Sequence, residues 1–169
     1  MGGDFMGKVI ELYNRKEERR MHEFSVLIIA RVFLSFSCMS QKKLQKLCYY
    51  AQAWHLALFN RRLMPDRFEA WVHGPVSPIL YSEYREYGWF DIPMSSIPKE
   101  IENRDDVYNF LQVIWGMYGN KTADELEIMT HNEAPWNNAR IGVAPWEPSD
   151  NVVDLEDMRN YYGSLLNNN

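Results

Sequence analysis

The sequence predicts a mainly α-helical fold, a helical bundle built around a buried central helix at about residues 41–59. Hydrophobic residues make up 46% of the chain and charged residues 24%, which is typical of a globular domain. The central segment carries one continuous apolar stripe at helical spacing, formed by Leu44, Leu47, Cys48, Ala51, His55 and Leu58. Residues 68–73 alternate apolar and polar side chains, which predicts one short strand or hairpin there.

The chain length of 169 residues fits one domain, predicted to span residues 22–165. A charged helical extension is expected at residues 1–21 and a disordered tail at residues 166–169. The domain opens with "HEFSVLIIARVFLSF", a segment with few polar residues. Its apolar residues at helical spacing predict a buried helix, with a core face formed by Val26, Ile29, Ala30 and Phe33.

The central helix is predicted to begin after Ser40, whose hydroxyl can cap the first unpaired backbone N–H groups. Beside the main stripe, Tyr50 and Trp54 form a second apolar row, and a third consists of Tyr49, Leu56 and Phe59. A helix that is apolar around most of its circumference is normally enclosed by other elements. This segment is therefore expected at the centre of the domain.

The next segment, "FEAWVHGP", predicts a strand that Gly74 and Pro75 stop. One strand face would consist of Phe68, Ala70 and Val72, and the other of Glu69, Trp71 and His73. A short helix should follow, with Ser77 as its N-cap and Pro78 as its first residue, since proline lacks only a donor that would be unpaired there. Gly88 is a natural terminator for that helix.

Residues 89–101 are expected to be irregular or weakly extended. A helix then starts near the acidic pair Asp105 and Asp106 and closes at Gly119, because carboxylates stabilise a helix N-terminus. Thr122 and Glu125 have the spacing of a capping box for the next helix. A short helix or turn within residues 131–140 and a last helix at about 152–166 complete the prediction, with core positions at Val153, Met158 and Tyr161 or Tyr162.

Charge is divided unevenly along the chain. Residues 1–85 carry a net charge of +5 and residues 86–169 a net charge of −10. The acidic total gives no support to general nucleic-acid binding, although the basic half keeps a local patch possible. No run of about 18 apolar residues predicts a membrane span. Two cysteines without a metal or disulfide pattern, and no signal peptide at residues 1–20, lead us to expect a cytoplasmic protein.

One enzymatic hypothesis rests on His73 and Glu69, which share a strand face, together with His131. A carboxylate can orient an imidazole for base catalysis, and a fold could bring these groups together as a hydrolase or metal site. The same alternation also arises from ordinary exposed strand residues. The four histidines show no metal-ligand spacing, and no phosphate-binding glycine loop occurs, so no cofactor is expected.

A second alternative is a nucleic-acid-binding autorepressor. It would need several basic side chains on one face, namely Lys42, Lys43, Lys46, Arg61, Arg62 and Arg67. The stronger signal is an excess of aromatic residues between positions 54 and 90 and near position 136. Most of them must be buried, but tyrosine and tryptophan left at the surface are the residue types that anchor protein interfaces.

Three blocks of the sequence, taken in order, resemble one family. The blocks are "KLQKLCYYAQAWHLAL", "FEAWVHGPVSPILYSEYREYG" and "YGNKTADELEIMTHNEAPWNNAR". They are similar to the Panacea domain, formerly a domain of unknown function and also called SocA-like or phage-associated GepA-like. The resemblance runs from roughly Arg31 to Arg140. Departures are Cys48 and Ala53, where leucine and glycine are expected, and His73, where tyrosine is common, which weakens a catalytic role for that imidazole.

The resemblance implies a mostly helical bacterial or phage antitoxin that is encoded beside a toxin and neutralises it by direct binding. Some members act as proteolytic adaptors, so a protease or chaperone is a further expected partner. No enzymatic activity is implied. The expected toxin is small, and basic if it meets the acidic half of this chain. Taken with the aromatic excess, the partner-binding residues are expected to be Trp71, His73, Pro75, Tyr81, Tyr84, His131 and Trp136.

Overall fold

A computed structural model describes residue 7 and residues 23–167, and within them it confirms the mainly helical class. Seven α-helices lie in this part of the chain: α1 (Val26–Phe36), α2 (Gln41–Phe59), α3 (Pro78–Tyr84), α4 (Asp105–Tyr118), α5 (Ala123–His131), α6 (Ala134–Ala139) and α7 (Leu155–Asn167). Two small antiparallel sheets are formed by β1 (Met39–Ser40) with β4 (Asp91–Ile92) and by β2 (Glu69–Trp71) with β3 (Gly74–Val76).

The two ends of the chain bear on the predicted domain limits. The proposed helical extension at residues 1–21 lies outside the described residues, apart from residue 7, and stays a prediction. At the other end α7 ends at Asn167, one residue beyond the last helix expected at about 152–166. The domain limits and the disordered tail at residues 166–169 stay predictions.

The central helix has the predicted bounds. The Ser40 hydroxyl accepts a hydrogen bond from the Lys43 backbone N–H at 3.3 Å, and the helix ends at Asn60 in a left-handed conformation with φ 53°. Helices α1, α3, α4, α5 and α7 all pack against α2. Every residue from Leu44 to Leu56 is buried, which confirms the interpretation of an enclosed helix. The histidine of the stripe, His55, is 2% exposed and its Nδ1 lies 2.6 Å from the Arg61 carbonyl oxygen.

The hairpin corrects one detail of the prediction. Gly74 and Pro75 do not stop the strand but begin its partner β3, and the turn lies at Val72 and His73. In the register Trp71 faces Gly74 and Ala70 faces Pro75. Gly74 adopts φ +102°, a conformation that glycine tolerates and that lets the chain reverse after only two residues.

The second sheet was not predicted at all. It joins Met39 to Ile92 and Ser40 to Asp91, so part of a segment expected to be irregular or weakly extended forms a two-residue strand. The pairing supports the start of α2, because Ser40 is both a strand residue and the cap of the helix. Such a pairing depends on contacts between segments about fifty positions apart and leaves no periodicity in either of them.

The remaining helices follow their predicted signals. The Ser77 hydroxyl caps α3, and one 3-10 turn continues that helix to Gly88, which has φ +56°. Thr122 and Glu125 form the expected reciprocal capping box of α5. In α7 the core residues are Met158 and Tyr162. None of the helices in the described part of the chain combines the length and hydropathy needed to span a bilayer.

Candidate partner-binding site

A cavity of about 520 Å³ lies between the start of α2, the β2–β3 hairpin and α3. Its floor is polar and comes from α2, with Gln41, Gln45 and Lys46. Its walls are mostly apolar and consist of Trp71, Val76, Tyr81 and Trp89. Charged side chains surround its mouth, namely Lys42, Arg85 and Asp124. Ser40, His73, Gly88 and Ala123 complete the lining, and we call this cavity the hairpin groove.

Two glutamine side chains of α2 fix the wall that α3 provides. The Gln45 amide accepts from the Ser77 backbone N–H at 2.8 Å and donates to the Ser77 carbonyl at 3.1 Å. One turn earlier, Gln41 Nε2 donates to the Tyr81 carbonyl at 3.3 Å. Because Gln45 is 2% exposed, its two bonds satisfy a buried amide and hold the start of α3 against the central helix.

Lys46 is the unusual member of the floor. The residue is only 1% exposed, and its Nζ donates to the Pro75 carbonyl at 3.2 Å. Burial lowers the pKa of Lys46 to about 7, since removal from water disfavours the ammonium form, while the carboxylate of Glu127 opposes that decrease. The hairpin closes tightly over it: a Cβ on Gly74 would lie 2.4 Å from Lys46 Cε.

Trp71 lines both the hairpin groove and a second cavity of about 550 Å³. Its Nε1 donates to Glu69 Oε2 at 2.8 Å, which fixes the indole plane. The Tyr81 ring meets the indole edge to face at 5.1 Å between centroids. From behind, Trp136 Nε1 donates to the Trp71 carbonyl at 2.9 Å. The aromatic wall is therefore held in one orientation before any partner arrives.

The turn of the hairpin is connected to α5 by a charged network. His73 Nδ1 lies 2.9 Å from Glu127 Oε1, and Glu127 also forms an ion pair with Lys42. Lys42 in turn bonds to Asp124 at 2.7 Å. Burial works to raise the pKa of Glu127, but the bonds from Lys42 and His73 outweigh it and the pKa is lowered, so this carboxylate is held ionised.

His131 and Trp136 lie together behind the hairpin, and their rings stack at 4.1 Å with an interplanar angle of 24°. The Arg140 guanidinium carbon lies over the Trp136 ring, 5.0 Å from its centroid. The same guanidinium donates to the Ala70 carbonyl at 2.7 Å. Burial lowers the pKa of His131, and its Nε2 has no hydrogen-bond partner among the described residues. This stack supports the hairpin from below.

The structure therefore separates the seven predicted binding residues into groups. Trp71, His73 and Tyr81 line the hairpin groove. Pro75 and Trp136 are buried beneath it, and the half-buried His131 stacks on Trp136. The half-buried ring of Tyr84 packs against the core and lies 6.2 Å from the Tyr87 ring, outside the groove lining.

The enzymatic alternative requires Glu69, His73 and His131 in one site, and their observed bonds point elsewhere. Glu69 binds the Arg67 guanidinium at 2.9 Å and the Trp71 indole, whereas the partner of His73 is Glu127. Within residues 23–167, no group of three or more potential ligands lies close enough to hold a metal ion. These residues serve the hairpin and its attachment to α5.

The six basic residues of the nucleic-acid alternative do not share a face. Lys42, Lys43 and Lys46 lie in the first two turns of α2, and the three arginines follow its other end, which is about 28 Å away for a helix of 19 residues. Lys42 is ion-paired, and Lys46 is buried. Arg62 and Arg67 bind Glu23 and Glu69 respectively.

Sequence reasoning missed the importance of Trp89, Glu127 and the buried position of Lys46. Lys46 precedes Tyr50 and Trp54 at intervals of four, so it continues a row that was already predicted to be apolar. A lysine on a row of buried residues is the sequence signal that could have predicted the buried position of Lys46. Trp89 is 88% exposed and follows a glycine turn, and no local pattern places it beside the groove.

The residues that build the groove fall in a region with known relatives. The family described as antitoxin SocA-like, Panacea domain, matches residues 44–137, more than half of the chain. This chain belongs to that family. The match covers α2, the hairpin, α3, α4 and α5 and reaches into α6, so it includes most of the lining of the hairpin groove.

A similar curated protein is Antitoxin SocA of Caulobacter vibrioides (strain NA1000 / CB15N), which is 30% identical over 109 residues. The aligned region covers 58% of this chain and 58% of that relative. No solved structure matches this member of the Panacea family. The family description and the name of the relative both contain the word antitoxin.

Proposed function

We propose that this Panacea-domain protein is an antitoxin that neutralises a cognate protein toxin by direct binding, with the hairpin groove and its aromatic rim as the binding surface. Support comes from the family, and from the position of the groove within the matched residues. The similar protein from Caulobacter is itself named as an antitoxin.

The observation that carries the proposal is the exposure of aromatic side chains at the mouth of the groove. Trp89 is 88% exposed and Tyr81 is 43% exposed, and both line the groove. Phe90, which follows Trp89 in the chain, is 82% exposed. Large aromatic residues are the commonest anchors of protein interfaces, because they bury much apolar area for few rotatable bonds. Their grouping around a preformed cavity is therefore the expected geometry of a docking site.

The predicted binding residues take different parts in this proposal. Trp71, His73 and Tyr81 contact the toxin directly. Pro75, His131 and Trp136 act from beneath, since they hold the hairpin in position through Lys46 and the Trp71 carbonyl. Tyr84 joins the contact only where the toxin extends past Tyr81 along α3.

The charge distribution suggests the character of the toxin. The second half of the chain carries a net charge of −10, which would attract a small basic protein and raise the association rate more than the affinity. An adaptor role, in which the antitoxin delivers the bound toxin to a protease or chaperone in the cytoplasm, is a further part of the proposal that the family resemblance motivates.

Co-expression with the toxin encoded beside the gene tests the proposal. The wild-type protein should restore growth and co-purify with the toxin. Trp89→Ala should weaken the complex by about tenfold or more, since interface anchors contribute at least about 2 kcal/mol. Trp146→Ala is the matched control, because Trp146 is 78% exposed but lies outside the groove lining and outside residues 44–137.

The two variants separate the possible results. Equal loss of toxin binding in both variants, or in neither, would contradict the assignment of the groove as the binding surface. Absence of both growth rescue and a co-purified complex for the wild-type protein would contradict direct neutralisation. Circular dichroism should be unchanged in either variant, because both side chains extend into solvent.

A further inference from the structure

The hairpin groove has an electrostatic character opposite to that of the chain as a whole. Lys42 is neutralised by Asp124 and Glu127, but two further cations line the same cavity. Lys46 lies in the floor, and Arg85 at the mouth forms no ion pair with any residue in the range 23–167. With Lys46 protonated, the three cations at the cavity exceed the two carboxylates by one charge inside an acidic protein.

Lys46 also has unused hydrogen-bonding capacity. An ammonium carries three donors, and the observed acceptor is the Pro75 carbonyl. A buried charged group normally has an ionic partner, since removal from water is otherwise costly. The residue is 1% exposed and forms part of the cavity lining, so an acceptor in the groove reaches its ammonium once the lysine side chain moves toward the cavity.

We propose that the hairpin groove recognises one carboxylate side chain of the partner protein, with Lys46 as its buried ion-pair partner and Arg85 as a second contact at the mouth. The residue next to this carboxylate in the partner is apolar and packs against Trp71, Tyr81 and Trp89. This inference rests on the proposed function, because it names the group on the toxin that enters the groove.

A carboxylate fits better than a phosphate group. Asp124 lines the groove, and Glu127 is bonded to His73 and Lys42 beside it, so a dianion would meet two carboxylates. One buried ammonium balances one negative charge. The apolar walls also favour a side chain within a polypeptide over a small hydrated anion. The acidic half of the antitoxin attracts a basic toxin at long range, while the groove selects one acidic residue at contact.

Binding of this kind should take up a proton. Burial lowers the pKa of Lys46 to about 7, with Glu127 of α5 opposing the decrease and Lys42 of α2 adding to it. The imidazole of His131 faces the same region from α5, and that of His73 from the hairpin. A carboxylate that pairs with Lys46 favours the ammonium form, so affinity should decrease as the pH rises above about 7.

The first test compares two lysine variants in the complex with the toxin. Lys46→Gln keeps an N–H donor but removes the charge, and we expect the Kd to increase about tenfold to hundredfold. Lys99→Gln is the control, because Lys99 is exposed and lies outside the groove lining, and it should change the Kd by less than about threefold. The decrease in affinity between pH 6.5 and 8.5 should remain in Lys99→Gln and His73→Gln and disappear in Lys46→Gln. Arg85→Gln, on the exposed rim, should weaken binding by several-fold even where Lys46→Gln folds poorly.

An acid-to-amide scan of the toxin identifies the carboxylate. One Asp or Glu should weaken binding to the wild-type antitoxin and have no further effect on Lys46→Gln, since additivity fails for groups in direct contact. A Kd within twofold of wild type for both Lys46→Gln and Arg85→Gln overturns the proposal. Coupling of Lys46 to the C-terminal carboxylate of the toxin alone also overturns the assignment to a side chain.

A peptide arm separates this inference from the proposed function. Acetyl-Leu-Glu-methylamide and acetyl-Leu-Gln-methylamide are titrated into the ¹⁵N-labelled antitoxin, and the indole signals of Trp71 and Trp89 are followed by NMR. The glutamate peptide should shift both signals at millimolar concentration, and the glutamine peptide should not. A toxin that does not bind at all would contradict the proposed function. Equal shifts with the two peptides, or no shifts with either, would overturn the carboxylate inference whether or not the toxin binds.

Discussion

Two buried polar sites lie one helical turn apart on the central helix, and they differ in how fully they are satisfied. At the first, Lys46 has one carbonyl acceptor and a cavity beside it. At the second, Tyr50 donates to Glu133 Oε1 at 2.8 Å, and Tyr162 donates to Glu133 Oε2. Both oxygens of the carboxylate are therefore occupied by protein donors. A closed set of partners indicates a structural role, whereas the incomplete set beside the cavity is the place where we propose a binding role.

The site around Glu133 joins three helices in the protein interior. Glu133 precedes α6, Tyr50 belongs to α2 and Tyr162 to α7. Tyr118 stacks on Tyr50 at 4.0 Å, and Trp54 Nε1 donates to the Tyr118 hydroxyl at 2.7 Å. Burial raises the pKa of Glu133, although the two tyrosine hydroxyls oppose the increase. Nothing in this arrangement faces solvent, so it is expected to serve the stability of the fold alone.

The largest loss of stability is expected from Glu133→Ala. This change leaves the hydroxyls of Tyr50 and Tyr162 buried without an acceptor and opens a small cavity. The free energy of unfolding should decrease by about 3–4 kcal/mol, measured by urea denaturation. Glu83→Ala is the control, because Glu83 is exposed on α3 and its loss should cost less than about 0.5 kcal/mol. Equal stability of the two variants would show that the tyrosines find water or other partners.

The next loss of stability is expected from Gly74→Ala, which changes the packing of the hairpin over Lys46. The added Cβ would lie 2.4 Å from Lys46 Cε and 2.9 Å from Thr130 Oγ1, and φ +102° is strained for any residue with a side chain. Stability should decrease by about 2 kcal/mol. Gly163→Ala in α7 is the matched control, since open space surrounds it and alanine favours a helix by up to about 1 kcal/mol. A neutral Gly74→Ala would mean that the hairpin is not closed over Lys46.

The third prediction uses the pH dependence of the free energy of unfolding to test whether burial of the Lys46 ammonium destabilises the fold. Its pKa is lowered from 10.5 to about 7 in the folded chain, so the unfolded chain binds more protons between those values. Stability should therefore rise with pH in this range, by up to about 1.4 kcal/mol per pH unit. Lys46→Met should remove this one-proton dependence in urea unfolding between pH 7 and 9.5. Parallel pH profiles of the two proteins would show that water reaches the ammonium in the free antitoxin.

The sequence predicted what short-range physics determines. Ser40, Ser77 and Thr122 cap their helices as expected, because a cap needs only a hydroxyl within three residues of an unpaired N–H. The bounds of the central helix followed from its continuous apolar rows. In each case the cause and the effect lie within one or two turns of chain.

The features that were missed depend on segments distant in sequence. Gly74 and Pro75 were interpreted as a strand terminator, because glycine followed by proline usually ends a strand. Their pairing with β2 is seen only in the folded register, in which Trp71 faces Gly74 and Ala70 faces Pro75. The polar character of the groove likewise needs α2, α3 and α5 to meet. No pattern local to Glu127 connects it to His73, which lies 54 positions earlier.

The smallest effect distinguishes two neighbouring tyrosines at the carboxylate site. The rings of Tyr49 and Tyr162 lie 6.4 Å apart, and both residues are fully buried. The Tyr162 hydroxyl donates to Glu133, whereas the Tyr49 hydroxyl has no hydrogen-bond partner among the described residues. Tyr162→Phe should cost about 1–2 kcal/mol, because it removes a bond to a buried charge-bearing group. Tyr49→Phe should change stability by less than about 0.5 kcal/mol, or raise it, since phenylalanine removes a buried polar atom that forms no bond. Comparable losses in urea denaturation would mean that Glu133 is not specifically satisfied by Tyr162, and the contrast with the open site at Lys46 would then lose its physical basis.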